Sequence, residues 1–215
     1  MKYISLLLLA LLSGPALMAV TISFQGSFSA DDNVQLFNFS VAADTTVTIR
    51  SFAYGGGTNS AGSIILPGGF DSHIYVFLPD GTQQAMNDDD TSSSAGACDH
   101  VTAGTNGCLD SYLSTLFAGS AGSYTVALVE SPNTSNGDLS SGFAQTGNGN
   151  FTCAPGFCDF GGSQRTGAWA IDIISADSAS AVTSTPEPAS WMLACLGAAI
   201  LAGARRKNSI LRLQV

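Results

Sequence analysis

The sequence predicts an all-β fold, a jelly-roll-like β-sandwich ectodomain set between an N-terminal signal peptide and a single C-terminal transmembrane helix. Three observations lead there. Between the two apolar ends, short β-prone runs are separated by Gly, Ser, Thr, Asn and Asp. No ten-residue stretch there keeps a helical period. Several runs alternate apolar and polar residues, as a strand with one buried face requires.

Met1 to Ala19 has a basic start at Lys2, an apolar run from Ile4 to Leu12, a Gly14-Pro15 break and a small residue at Ala19. That order is a secretory leader, with the mature chain beginning near Val20. No cysteine stands near the boundary to take a lipid. The ectodomain is assigned to 20–178 and a linker to 179–185, roughly 165 residues in all, enough for one domain with its own core. Strands are expected at Val20 to Phe28, Val34 to Val41, Thr45 to Phe52, His73 to Leu78, Gly122 to Val129 and Gly167 to Ile174, with weaker ones near Thr82 to Met86 and Tyr112 to Phe117. Phe37, Phe39 and Val41; Val47 and Ile49; Tyr124, Val126 and Leu128; and Trp169, Ile171 and Ile173 would face a core, with the residues between them in water. Pro79-Asp80-Gly81 is a turn, because proline sets φ and glycine accepts a positive φ. Antiparallel strands of this number bury one face each most readily as two packed sheets. Long connections remain at Ala53 to Phe70, Asn87 to Asp110 and Ser131 to Arg165. Loops of that size are uncommon unless functional, stapled or metal-bound.

Charge and cysteine narrow the function classes. Lys2, Arg205, Arg206, Lys207 and Arg212 lie outside the ectodomain, leaving Arg50 and Arg165 against fifteen acidic residues, a net charge of −13. Nucleic acid and anionic lipid are poor partners for such a surface; divalent cations, or simple solubility, suit it better. Cys195 falls in the apolar tail, whereas Cys98, Cys108, Cys153 and Cys158 fall in exported loops, where an oxidising compartment favours disulfides. Three connectivities are possible for four cysteines, and the close spacings favour Cys98 with Cys108 and Cys153 with Cys158. A zinc site is the alternative, but the spacing is not C-x₂-C and only His100 is near.

The last thirty residues carry a Pro186-Glu187-Pro188 tripeptide, an uncharged helix from Ala189 to Ala204 and a basic cluster at Arg205, Arg206 and Lys207. At 1.5 Å per residue the helix is about 24 Å long, able to span a membrane with help from its flanks. Trp191 would anchor one interface, and the basic cluster marks the other end as cytoplasmic. The two prolines hold the approach to the helix extended. This order resembles the PEP-CTERM class of bacterial surface proteins, and 186–215 is assigned as its sorting signal with the transmembrane helix at 189–204. The resemblance implies that an exosortase, a membrane transpeptidase, recognises Pro186, Glu187 and Pro188 and removes the helix during export, often alongside exopolysaccharide production. The continuation from Asn208 to Val215, with Arg212, is longer than such tails usually are and is read as a tolerated extension.

The ectodomain is similar to the bacterial pre-peptidase C-terminal domains. The similarity rests on the run from Asp32 to Val41, Gly69-Phe-Asp71 before a strand, Leu78-Pro-Asp-Gly81, Asn87-Asp-Asp-Asp90, Leu109-Asp110 and the run from Ala118 to Val126. It implies a sandwich that acts as an accessory or binding module, and some such domains bind calcium.

Calcium is the best site reading of the residues. Asp71, Asp88, Asp89, Asp90 and Asp110 offer hard oxygen ligands on loops that the fold could gather. The bland alternative is a solvated acidic turn, and the spacing is not that of an EF-hand. Asp31 and Asp32 read as a strand-leading turn. His73 and His100 are the only histidines, no nucleophile or phosphate-loop motif is present, and Glu130 is the ectodomain's only glutamate, so no catalytic pair stands out. Tyr54, Phe143, Phe151, Phe157 and Phe160 lie in loops where they could form a sugar-binding platform, or could pack beneath their own loops. The expectation is an exported, exosortase-sorted, non-catalytic surface protein, a structural or binding component associated with extracellular polysaccharide, attached to the membrane by its C-terminal helix until processed. The alternative is a calcium-stabilised carbohydrate-binding or adhesion module.

Overall fold

The computed structural model describes residues 20–90 and 109–182. Among them are eleven strands: β1 (Val20–Ser27), β2 (Val34–Val41), β3 (Thr45–Ser51), β4 (Gly57–Thr58), β5 (Ile64–Ile65), β6 (Ser72–Phe77), β7 (Gln83–Asn87), β8 (Tyr112–Phe117), β9 (Gly122–Glu130), β10 (Ala168–Ala176) and β11 (Ser178–Ala181). The expected signal peptide, the Cys98–Cys108 segment and the expected sorting signal with its helix lie outside the described residues.

The strands pair in a nested series. β6 pairs with β7, β3 with β8, β2 with β9 and β1 with β10, every pair antiparallel. This is one long hairpin rolled up so that successive pairs fall in alternate sheets. The sheet orders are β1-β10-β3-β8 and β11-β2-β9-β6-β7, the strand nesting of a jelly roll with one strand added at an edge. The innermost turn is Leu78 to Thr82, where Leu78 N–H donates to Thr82 O at 2.9 Å and Gly81 takes φ of 90°. That positive φ is why glycine follows Pro79 and Asp80.

Between the sheets lies an aromatic-rich core. Phe37, Phe39, Val41, Val47, Ile49, Tyr124, Val126, Leu128, Trp169, Ile171 and Ile173 all enter it, as their alternation requires. Phe37 meets Trp169 edge-on at 5.8 Å, and Phe117 lies 4.3 Å from Tyr124. Each such fully buried ring contributes about 1.5–3 kcal/mol relative to exposure.

Three features depart from the sequence reading. Residues 179–181, expected as linker, belong to β11 and pair with β2 from Phe39 to Phe37. The Ser-Ala-Ser-Ala run alternates only small side chains, too weak a pattern to reveal a strand; it covers backbone groups that would otherwise leave β2 as an open edge. Second, β4 and β5 make a small hairpin inside the 53–70 connection. That connection is held by Asp172, which accepts Ser60 N–H at 2.9 Å and its hydroxyl at 2.7 Å. Third, β6 is buried at every position. Its outer face is not in water: Tyr75, Phe77, Ala127, Val129 and Phe143 form a second cluster there. The uninterrupted apolar runs Ile74 to Phe77 and Val126 to Val129 are the signature of strands covered on both sides.

Phe143, brought to Tyr75 at 5.9 Å and Phe77 at 6.4 Å, is what fastens the 131–165 connection over that face. Truncating Phe143 to Ala should lower unfolding free energy by about 3–4 kcal/mol in urea denaturation. Phe160→Ala, at a fully exposed position, should leave it unchanged. Equal effects would contradict this packing.

Candidate functional site

The hairpin of β6 and β7 brings acids to one end of the sandwich. Asp71 immediately precedes β6, while Asp88 and Asp89 immediately follow β7, so antiparallel pairing of Ile74 with Asn87 sets the three side by side. One carboxylate oxygen from each lies within 4.8 Å of the others. The approach to Asp71 is held from below by Gly69, whose N–H donates to Ala53 O at 2.9 Å. A Cβ at Gly69 would press on the carbonyl oxygens of Ala53 and Ala168, so only glycine fits. Asp71 O in turn accepts Ser131 N–H at 2.8 Å, tying the end of β9 to the start of β6.

Asp88 and Asp89 are fixed by their neighbours. Asn87 Oδ1 accepts Tyr112 N–H at 2.7 Å, and its amide donates to Asp89 O at 3.2 Å. His73 Nδ1 lies 3.2 Å from Asp88 Oδ1, with the imidazole stacked on Tyr75 at 4.2 Å between centroids.

Asp90 and Asp110, expected as further ligands, are not among the three residues whose oxygens come within 4.8 Å of one another. The Asp110 carboxylate instead accepts the N–H groups of Ala53 at 2.6 Å, Tyr54 at 3.0 Å and Gly55 at 2.7 Å. It is the clamp at the start of the 53–70 connection. Asp90 is buried, and its N–H donates to Asp110 O at 3.0 Å, which places it in that clamp's support.

Among the described residues, no lysine or arginine pairs with the cluster. Arg50 pairs with Asp172 at 3.1 Å, and Arg165 pairs with Asp159 at 2.9 Å while lying 3.7 Å over the Tyr54 ring. The sequence from 20 to 182 has no other Lys or Arg. Burial, followed by the charges of Asp88, Asp89, Asp110 and Asp159, pushes the Asp71 carboxyl up to about 8. Burial and Asp88 also raise Asp89. Asp88 is held below the usual carboxylate range: burial opposes this, but the bond and charge of His73 and the Ser131 hydroxyl outweigh it. Glu130, 1% exposed, is raised to about 9 by burial, with Asp31 and Asp71 adding to it.

Sequence reasoning singled out neither Glu130 nor Asp31 as part of the site. Asp31 does lead β2 in a turn as expected, but it is fully buried and also holds the opposite loop, accepting Phe151 N–H at 3.1 Å and Thr152 N–H at 3.0 Å. That loop is closed by a disulfide between Cys153 and Cys158. Glu130 carried a usable signal, as the one glutamate in the ectodomain, at the end of an apolar strand.

Asp71, Asp88 and Asp89 line a cleft of about 580 Å³ together with Tyr54, Asp159 and Phe160. Of the loop aromatics considered for a sugar platform, Phe143 and Phe157 are instead buried in the two cores, and Tyr54 lies beneath Arg165. Phe151 is half-buried, and Phe160 stands fully exposed beside the cleft. The arrangement can hold a hard divalent cation: three carboxylates supply three to six of the six to eight oxygens that calcium takes. Asp71 Oδ1 and Asp89 Oδ1 are buried without a hydrogen-bond partner, which suits that donor set.

The tail is where comparison with known proteins bears. Residues 184–207 match the PEP-CTERM protein-sorting motif. The match includes Pro186, Glu187, Pro188 and the basic cluster Arg205, Arg206 and Lys207, and stops before the extension that begins at Asn208. The motif indicates an exported surface protein that is sorted by an exosortase, a membrane enzyme. No curated protein matches the chain.

The raised carboxyls give the metal-free protein a pH dependence of definite sign. Asp71 and Glu130 keep their protons in the folded state to about 8 and about 9, whereas unfolded carboxyls lose theirs near 4. The folded state therefore binds more protons across that window, and stability falls as pH rises through it. In chelator, the melting temperature should fall steadily between about pH 5 and pH 8.5. A melting temperature that rises over this window would contradict the assignment.

Proposed function

We propose that the ectodomain is a non-catalytic surface module whose loop end is stabilised by a divalent cation, calcium by its oxygen-only donors, held by Asp71, Asp88 and Asp89. The observation that carries this reading is the gathering of three carboxylates at the end of the β6–β7 hairpin while both arginines of the ectodomain are engaged elsewhere. The cation would join the two connections that meet there, since Asp71 is bonded to Ser131 and the cleft reaches Asp159 of the disulfide-stapled loop. A structural module also suits His73. Its ring is 4% exposed, stacked on Tyr75 and engaged with Asp88, the environment of a packing residue rather than of a proton shuttle.

Calcium should raise the melting temperature of the chelated protein at pH 7.5, and Asp89→Asn should remove most of that rise. An identical melting temperature in chelator and calcium would refute the reading.

A second reading is favoured by Phe160. A fully exposed aromatic beside an acidic cleft suits contact with a sugar ring whose hydroxyls or carboxylates complete the coordination of the cation. It would make this face the contact with extracellular polysaccharide. Immobilised uronate-rich polysaccharide should then retain the protein in calcium but not in chelator, with retention weakened several-fold by Phe160→Ala. Equal retention by wild type and variant would remove Phe160 from the account.

A further inference from the structure

The cluster of Asp71, Asp88 and Asp89 does not exhaust the uncompensated acid at this end of the sandwich. Glu130 closes β9 and is 1% exposed, yet neither carboxylate oxygen has a hydrogen-bond partner. Register fixes its direction. It lies opposite Ser72 and continues the inward series Tyr124, Val126 and Leu128, so its side chain enters the end of the sandwich interior. The pairing of Ser72 with Glu130 and the 2.8 Å hydrogen bond from Ser131 N–H to Asp71 O bring Asp71 to the same end, and the charges of Asp31 and Asp71 both act on Glu130. Asp31 is already occupied by the N–H groups of Phe151 and Thr152 and by the Thr152 hydroxyl at 2.7 Å. Asp71 Oδ1 is not: like both oxygens of Glu130, it is buried and lacks a partner.

A proton alone is a poor solution for this arrangement. A neutral carboxylic acid has an O–H that needs an acceptor and a carbonyl oxygen that seeks a donor, and Glu130 has neither contact. A hard cation engages both oxygens at once, and its charge offsets the neighbouring acids, for which the described residues supply no arginine or lysine.

We propose that Glu130 and Asp71 hold a second divalent cation of the calcium class, enclosed behind the cluster, with the Asp71 carboxylate shared between the two ions. Asp31 acts as a positioning residue: it holds the 150–152 segment against the same end of the sandwich. This inference rests on the cation reading above only for the identity of the ion.

The test is the calcium content of the full chain, purified in a mild detergent and equilibrated with calcium, measured by atomic emission beside its melting temperature. Glu130→Gln preserves size and removes charge, and it should bind one calcium fewer per chain than wild type and lose part of the calcium-induced rise in melting temperature. Asp89→Asn should lose the outer ion and retain the Glu130-dependent one. If Glu130→Gln matches wild type in both content and melting, Glu130 is a buried neutral acid and the proposal is overturned, while the outer cluster stands. If wild type binds no calcium, both readings fall. Should Glu130→Gln fail to fold, infrared spectroscopy of wild type decides: calcium should abolish the carbonyl stretching band of a buried protonated carboxyl, and its persistence in calcium overturns the proposal.

Discussion

Two arginines among fifteen acidic residues is the constraint on which this ectodomain turns. Both are committed to fastening long connections: Arg50 supports Asp172, which holds the 53–70 insertion through Ser60, and Arg165 supports Asp159 and Tyr54. Every other buried carboxylate must find backbone N–H groups, a proton or an external cation. Asp110 and Asp31 take the first course, each accepting N–H groups from a neighbouring loop. Asp71, Asp89 and Glu130 have no such donors for at least one oxygen each, and they lie together at one end of the sandwich.

Their meeting is a consequence of topology rather than of sequence proximity. Asp71 and Asp88 are separated by a whole hairpin, and Glu130 arrives on β9 only because that strand pairs with β6. The jelly-roll nesting places the start of β6, the end of β7 and the end of β9 on the same edge. The loops that pack over this edge are the same ones the disulfide and Phe143 tie down. The disulfide closes only a short turn within the 131–165 connection, and Phe143 and Asp31 hold the rest of it against the sandwich.

Much of this was legible in the sequence. Period-two alternation named the inward residues of β2, β3, β9 and β10, because each has one face on the inter-sheet core, and β1, β6, β7 and β8 were legible as short β-prone runs. The Pro79-Asp80-Gly81 turn and the acidic group at its far end were readable for the same local reason. What local pattern does not carry is the second layer. The burial of Tyr75 and Phe77 depends on Phe143, more than sixty residues on in the chain, and β11 is built of serines and alanines that carry no strand signature. Asp110 looked like a metal ligand because residue type alone does not reveal which backbone groups will surround a carboxylate. The sorting signal, by contrast, is short, contiguous and independent of fold, and the assignment to 186–215 and the motif match at 184–207 share residues 186–207.

The sorting motif indicates an exported surface protein, and in the proposed function a divalent cation stands in for the basic residues that the ectodomain lacks. The most direct test of that compensation is anomalous diffraction from crystals grown in calcium. The account predicts an anomalous peak in the cleft, about 2.3–2.6 Å from carboxylate oxygens of Asp71, Asp88 and Asp89. Calcium-grown crystals showing only water among these three residues would contradict it.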